Sequence, residues 1–263
     1  MADDANISML NNEKKIDGTS DTSHHEDKLV RLIKSIVINH DVPEFIDETV
    51  IKFKYYNSFN FSPLAQDHKN FNLTLGITSP NAGEGKTLVA CNLAIALVLG
   101  SQKKTVLVDL NVTNPCLHRI FGTQSQPGLV DAFMNSHVDV YRTRIEHLCV
   151  LPIGDFTIHQ TAWLKSSPVP THQDGKPTIG LEQLATFRDV IYSLQQEFEF
   201  VIVDMPSIQN GSVPLLFANQ LDGLIIVVES GRTKREDIDA LLHQINQHQI
   251  LGFVFNRFNE RIS

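Results

Sequence analysis

The stretch SPNAGEGKT, residues 79–87, constrains this chain more than any other part of it. It follows an apolar, strand-like run, LTLGIT, and precedes a long apolar run with helical character, TLVACNLAIALVL. Glycines at 83 and 85 let the backbone curl so that successive N–H groups point at one anion. A helix opening near Lys86 adds the positive end of its dipole. Strand, glycine-rich turn and helix in that order form a phosphate cradle, with Lys86 reaching the β- and γ-phosphates and Thr87 offering its hydroxyl to Mg²⁺. The usual spacing is G-x-x-x-x-G-K-[ST]. Here Pro80 takes the place of the first glycine, while Gly83, Glu84, Gly85, Lys86 and Thr87 remain as the binding set. The expected ligand is a nucleoside triphosphate.

From residue 72 onward, short runs rich in Val and Ile alternate with helical stretches. KTVLVDL, LCVLPIG, FVIVDMP, DGLIIVVES and LGFVFNR read as strands. GLEQLATFRDVIYSLQQEF and TKREDIDALLHQINQ read as helices, the second with a core-facing stripe at Leu241, Leu242 and Ile245. Strands that are apolar throughout are buried on both faces. The expected fold is therefore α/β, a doubly wound and mainly parallel sheet with helices on both faces. Before it, residues 1–26 read as a disordered acidic tail. Residues 27–68 read as a helical segment, from the spacing of Leu29, Leu32, Ile33 and Ile36 and from FIDETVIKFKYYNSF. Residues 69–263 form the nucleotide-binding domain, with an irregular surface excursion over 155–180 that carries Trp163.

Composition narrows the function classes. The net charge of -8 argues against a nucleic-acid scaffold, which needs clustered Lys and Arg. Seven acids against three lysines in the first 28 residues supply about half of that excess. No apolar run approaches the roughly 20 residues of a membrane helix, and MADDANISMLNNEKK lacks a secretory core. A cytoplasmic protein is expected, with any membrane association made through a partner. Cys91, Cys116 and Cys149 have neither disulfide nor metal spacing and read as free thiols. His24 and His25 read as solvated, and His243 and His248 are badly spaced to share a ligand.

Two aspartates close apolar strands, Asp109 in VLVDLNVTNP and Asp204 in FVIVDMP. In an open parallel sheet ligands gather at those strand ends, so both are candidates beside the phosphates.

On TSPNAGEGKTLVACNLAIAL, VLVDLNVTNPCLHRIFG, GLVDAF, FEFVIVDMPS, LDGLIIVVESGRTKREDI and LGFVFNRF, the chain resembles the bacterial tyrosine kinases of capsule and exopolysaccharide assembly, within the ParA/MinD-like P-loop ATPases. The resemblance implies ATP and Mg²⁺ as cofactors and a membrane polysaccharide co-polymerase as partner. Homo-oligomers occur in that family. It also implies Lys86 and Asp109 as catalytic residues, Thr87, Asp109 and Asp204 at the metal, and Asn256 and Arg257 at the nucleobase.

The departures are specific. Where the family's second strand ends D-x-D-x-R, this chain has Asp109, Asn111 and Thr113. Val213 stands where a further aspartate is common, FIDETVIKFKYY lacks the arginines of the ring-forming helix, and the last tyrosine is Tyr192. Asn cannot take a proton, and loss of a general base costs on the order of 10²–10⁴ in rate. The expectation is an ATP-binding family member with weak or absent autokinase activity, acting as a nucleotide-responsive partner. The alternative is a kinase acting on tyrosines of another protein. A partition ATPase is less favoured, because Asn81 replaces the extra lysine of that group.

Overall fold

The computed structural model describes residues 34–41, 72–155, 182–208 and 213–257. Eight strands of these residues form one sheet in the order β1-β4-β5-β3-β6-β2-β7-β8. They are β1 (Ser35–Asn39), β2 (Leu73–Thr78), β3 (Thr105–Asp109), β4 (His137–Arg142), β5 (Leu148–Leu151), β6 (Phe200–Asp204), β7 (Gly223–Glu229) and β8 (Ile250–Asn256). Every neighbouring pair is parallel except β4 with β5. The mainly parallel α/β sheet expected from the alternating runs is the one observed.

Alternation along the strands divides the core between the two faces. Val106 and Val108 of β3 pack with Val201 and Val203 of β6 and with Phe187, Val190 and Leu194 of α4 (Glu182–Glu197). Leu107, Ile202, Leu75 and Ile77 face the other way, onto α1 (Lys86–Ser101). From Val89 to Val98 this helix is buried all round, as a helix wedged against a sheet and its neighbours must be. The remaining helices are short: α2 (Leu117–Phe121), α3 (Leu129–Ala132), α5 (Val213–Ala218) and α6 (Arg235–Leu242).

Residues 28–40 were expected to be helical, but Ser35–Asn39 is a strand running parallel to β4. Ile36 and Ile38 fit a period of two as well as Leu32, Ile33 and Ile36 fit a helix, and both isoleucines pack on the α4 face of the core. The edge of β4 decides between the two patterns. Its backbone groups need partners, and Lys34 N–H also donates to Ser193 Oγ of α4 at 2.8 Å. So this part of the segment belongs to the sheet. β4 itself, HVDVYR, was not anticipated, although Val138 and Val140 alternate with polar residues. The acidic tail, FIDETVIKFKYYNSF, residues 156–181 and the chain's last six residues lie outside the described residues.

No helix among the described residues is long and apolar enough to cross a membrane. The α4 side of the core is locked by Phe187 and Phe217, buried edge to face with ring centroids 4.8 Å apart. Phe187→Ala is expected to lower the unfolding free energy by about 3–5 kcal/mol in a urea titration.

Candidate functional site

The loop between β2 and α1 takes its shape from two glycines. Gly83 has φ 82 and Gly85 has φ 91, in the left-handed region. A Cβ on Gly85 would be strained by this backbone and would also lie 2.1 Å from Asn256 Nδ2, displacing that side chain from the loop. Pro80 needs no such freedom, since its φ is fixed near -65°. Lys86 opens α1 and is buried, with Nζ donating to Ser79 Oγ at 3.0 Å. Burial lowers its pKa, and the carboxylates of Asp204 and Glu84 partly offset this.

Asp109 and Asp204 are direct lateral partners across β3 and β6, and both are fully buried. Thr87 Oγ1 donates to Asp204 Oδ2 at 2.5 Å, whereas Asp204 Oδ1 is buried with no partner. The two oxygens of Asp109 are engaged differently. Oδ1 accepts Asn111 N–H at 3.0 Å, and Oδ2 accepts the N–H groups of Cys116 and Leu117 at 3.2 and 3.3 Å. Asp109 thus closes its own loop and caps α2. Asn111 serves the same loop, its Oδ1 accepting from Thr113 Oγ1 at 2.9 Å.

Burial raises the pKa of Asp204, and the neighbouring Asp109 adds to the effect. Asp109 is also raised by burial, against the pull of its three backbone donors. The Cys116 thiol, beside both carboxyls, is pushed up to about 11, mainly by burial. Two adjacent carboxyls out of water, one with an orphan oxygen beside a threonine hydroxyl, form a donor set that suits a hard divalent cation.

Glu84 faces inward. Oε2 accepts Asn81 N–H at 3.0 Å, and Oε1 accepts Thr233 Oγ1 at 2.5 Å. Asn81 Nδ2 reaches Asp237 Oδ2 at 3.0 Å. The Glu84 carboxylate therefore clasps the loop to the start of α6. Asn256 Nδ2 donates to the Glu84 carbonyl at 2.9 Å, and Arg257 Nη1 to Glu229 Oε1 at 2.8 Å. Glu229 also receives Arg232 Nη1 at 3.2 Å.

The structure thus gathers Gly83, Glu84, Gly85, Lys86, Thr87, Asp109, Asp204, Asn256 and Arg257 around one loop at the carboxyl ends of the strands. Val213 begins α5, and its side chain lies outside the described residues. Sequence reasoning missed Ser79, Glu229, Arg232 and Thr233. Glu229 carried a usable signal, an acid closing an apolar strand like Asp109 and Asp204. Ser79, Arg232 and Thr233 stand in SPNAGEGKT and LDGLIIVVESGRTKREDI, stretches that marked the region but gave these residues no individual role.

The model of the CobQ/CobB/MinD/ParA nucleotide-binding domain matches residues 75–263. The chain belongs to this family. Among its relatives is the tyrosine-protein kinase CpsD of Streptococcus agalactiae serotype III, 29% identical over 199 residues that cover 73% of this chain and 77% of CpsD. The succinoglycan biosynthesis transport protein ExoP of Rhizobium meliloti is 26% identical over 190 residues, which are 70% of this chain and 22% of ExoP. The crystal structure of the VpsO kinase domain superposes with a TM-score of 0.58 at 24% identity, covering 74% of this chain and 89% of that domain. That likeness is one of fold.

A carboxyl whose folded pKa is raised contributes its stabilisation in full below the ordinary carboxylate range and loses it as pH rises through the raised value. Without nucleotide or Mg²⁺, Asp204→Asn is therefore expected to raise the melting temperature more at pH 8 than at pH 5. The expected difference is on the order of 1 kcal/mol, or roughly 2–4 °C. Melting curves at the two pH values check it, and equal gains would rule out the buried charge as the source.

Proposed function

We propose that the chain binds ATP with Mg²⁺ in this cradle, phosphorylates itself weakly or not at all, and serves as a nucleotide-responsive cytoplasmic partner in polysaccharide assembly. The observation that carries the attenuated half of this reading is the state of Asp109. Both of its oxygens accept backbone N–H groups, and the residue two positions on is an amide engaged in its own turn. Asn111 cannot take the proton of an attacking hydroxyl, and Asp109 is tied to its own loop through both oxygens. What favours binding is the rest of the set: the two left-handed glycines, the buried Lys86, and Thr87 beside the orphan oxygen of Asp204.

In this reading the glycine-bearing loop and the amino end of α1 cradle the phosphates. Lys86, now donating to Ser79, would neutralise the β- and γ-oxygens, and Thr87 and Asp204 would hold Mg²⁺. Asn256 supports the loop from behind Gly85 and, with Arg257, borders the nucleobase. The metal, when bound, supplies charge neutralisation on the phosphoryl oxygens. Asp109 acts on the site through the loop it closes and through the charge it places beside Asp204. The likeness to a succinoglycan transport protein supports a polysaccharide setting, and a membrane polysaccharide co-polymerase is the proposed partner. Self-association is open to this chain, and no nucleic-acid role is proposed.

The second reading, a kinase for tyrosines of a partner protein with Asp109 as base, is favoured by the tyrosine-kinase names among the relatives. Labelled ATP separates the two. The first reading expects Mg²⁺-dependent ATP binding, weakened roughly tenfold or more by Lys86→Ala, with little phosphotyrosine on the chain or its partner. Strong labelling of partner tyrosines that vanishes in Lys86→Ala would establish the second. Asn111→Asp is expected to raise turnover by at least about tenfold if the missing acid is the lesion.

A further inference from the structure

Residues 230–234, the loop leaving β7, are built into the wall of the cradle. Thr233 is the pin. Its hydroxyl donates to Glu84 Oε1 at 2.5 Å and accepts the N–H of Glu229 at 2.9 Å. This fixes the neighbouring residue, Arg232, against the glycine turn. Its Nη1 lies 4.0 Å from the point where a Cβ on Gly83 would stand. The Arg232 side chain is 65% exposed, and its guanidinium touches Glu229 at 3.2 Å. That carboxylate already has a shorter partner in Arg257 at 2.8 Å. Two guanidiniums thus share one carboxylate at the rim of the loop, and Arg232 holds the weaker claim on it.

A side chain of this kind can exchange partners. Arg232 has a planar fork of donors suited to phosphate oxygens, a long stem, and an anchor that Arg257 continues to neutralise if it leaves. Its neighbour Gly83 belongs to the turn that encloses the phosphates. We propose that Arg232 is a phosphate-binding residue of this site, exchanging Glu229 for the terminal phosphate of the bound nucleoside triphosphate. The inference rests on the nucleotide reading above and adds a discrimination to it: the site tells a triphosphate from a diphosphate through the loop after β7.

The test is calorimetric titration of the full chain, with Mg²⁺, using a non-hydrolysable ATP analogue and ADP in parallel. Arg232→Ala is expected to weaken the triphosphate roughly tenfold or more and ADP by less than about threefold, with Arg232→Lys recovering part of the loss. Arg235→Ala removes a nearby, more exposed charge, paired to Asp239 at 3.6 Å, and is expected to change neither affinity. Melting temperatures without nucleotide are expected to match the native chain, because Arg257 still neutralises Glu229 and the lost side chain is mostly exposed. Equal losses for both nucleotides, or none, overturn the role of Arg232 while the cradle stands. A native chain that binds neither nucleotide overturns the cradle itself, and this inference with it.

Discussion

The alignment of β3 beside β6 places two aspartates shoulder to shoulder in a buried environment, and much of the site follows from that contact. Two carboxyls held out of water cannot both remain charged without compensation, so each needs donors or a cation nearby. The fold resolves the two differently. Asp109 receives three backbone donors from its own loop. Asp204 receives one hydroxyl and keeps one oxygen unpartnered. The asymmetry leaves one acid of the pair held by its own loop and the other with an oxygen still open to a donor.

The second organising contact is the clasp made by Glu84. A carboxylate in the middle of a phosphate-binding loop is an odd choice, since it repels the ligand the loop is built for. Its inward orientation explains the choice: the charge is absorbed by Asn81 and Thr233, and the loop gains a rigid link to the element that follows β7. Asn256 seals the same loop from the end of β8. Two segments well over a hundred positions further on, around Thr233 and at Asn256, thus hold the cradle in shape, and the first carries Arg232 to its rim.

Much of this was visible in the order of residues. Apolar runs such as TVLVD and FVIVD leave little choice but buried parallel strands, and an acid where such a run stops must sit at the strand's carboxyl end. The glycine turn was equally plain, because Gly83 and Gly85 stand just before Lys86 and Thr87, between a strand-like run and a helix-like one. The helical reading of residues 28–40 failed where two periodicities overlapped. Ile33 and Ile36 suit a helix, Ile36 and Ile38 suit a strand, and the exposed edge of β4 settled the matter from a hundred residues away.

The amino-acid order by itself determined the fold class, the phosphate loop and the strand ends on which Asp109 and Asp204 stand. These depend on short-range pattern, namely hydrophobic period, glycine conformation and the polarity of the next residue. Only the tertiary structure decided what those residues do once they are there. It turned the Asp109 carboxylate toward its own loop, left one oxygen of Asp204 unpartnered, drew Glu84 away from the ligand, and set Arg232 beside Gly83. The physical reason is that hydrogen-bond and charge partners are chosen by proximity across the sheet, between residues such as Glu84 and Thr233 that are 149 positions apart.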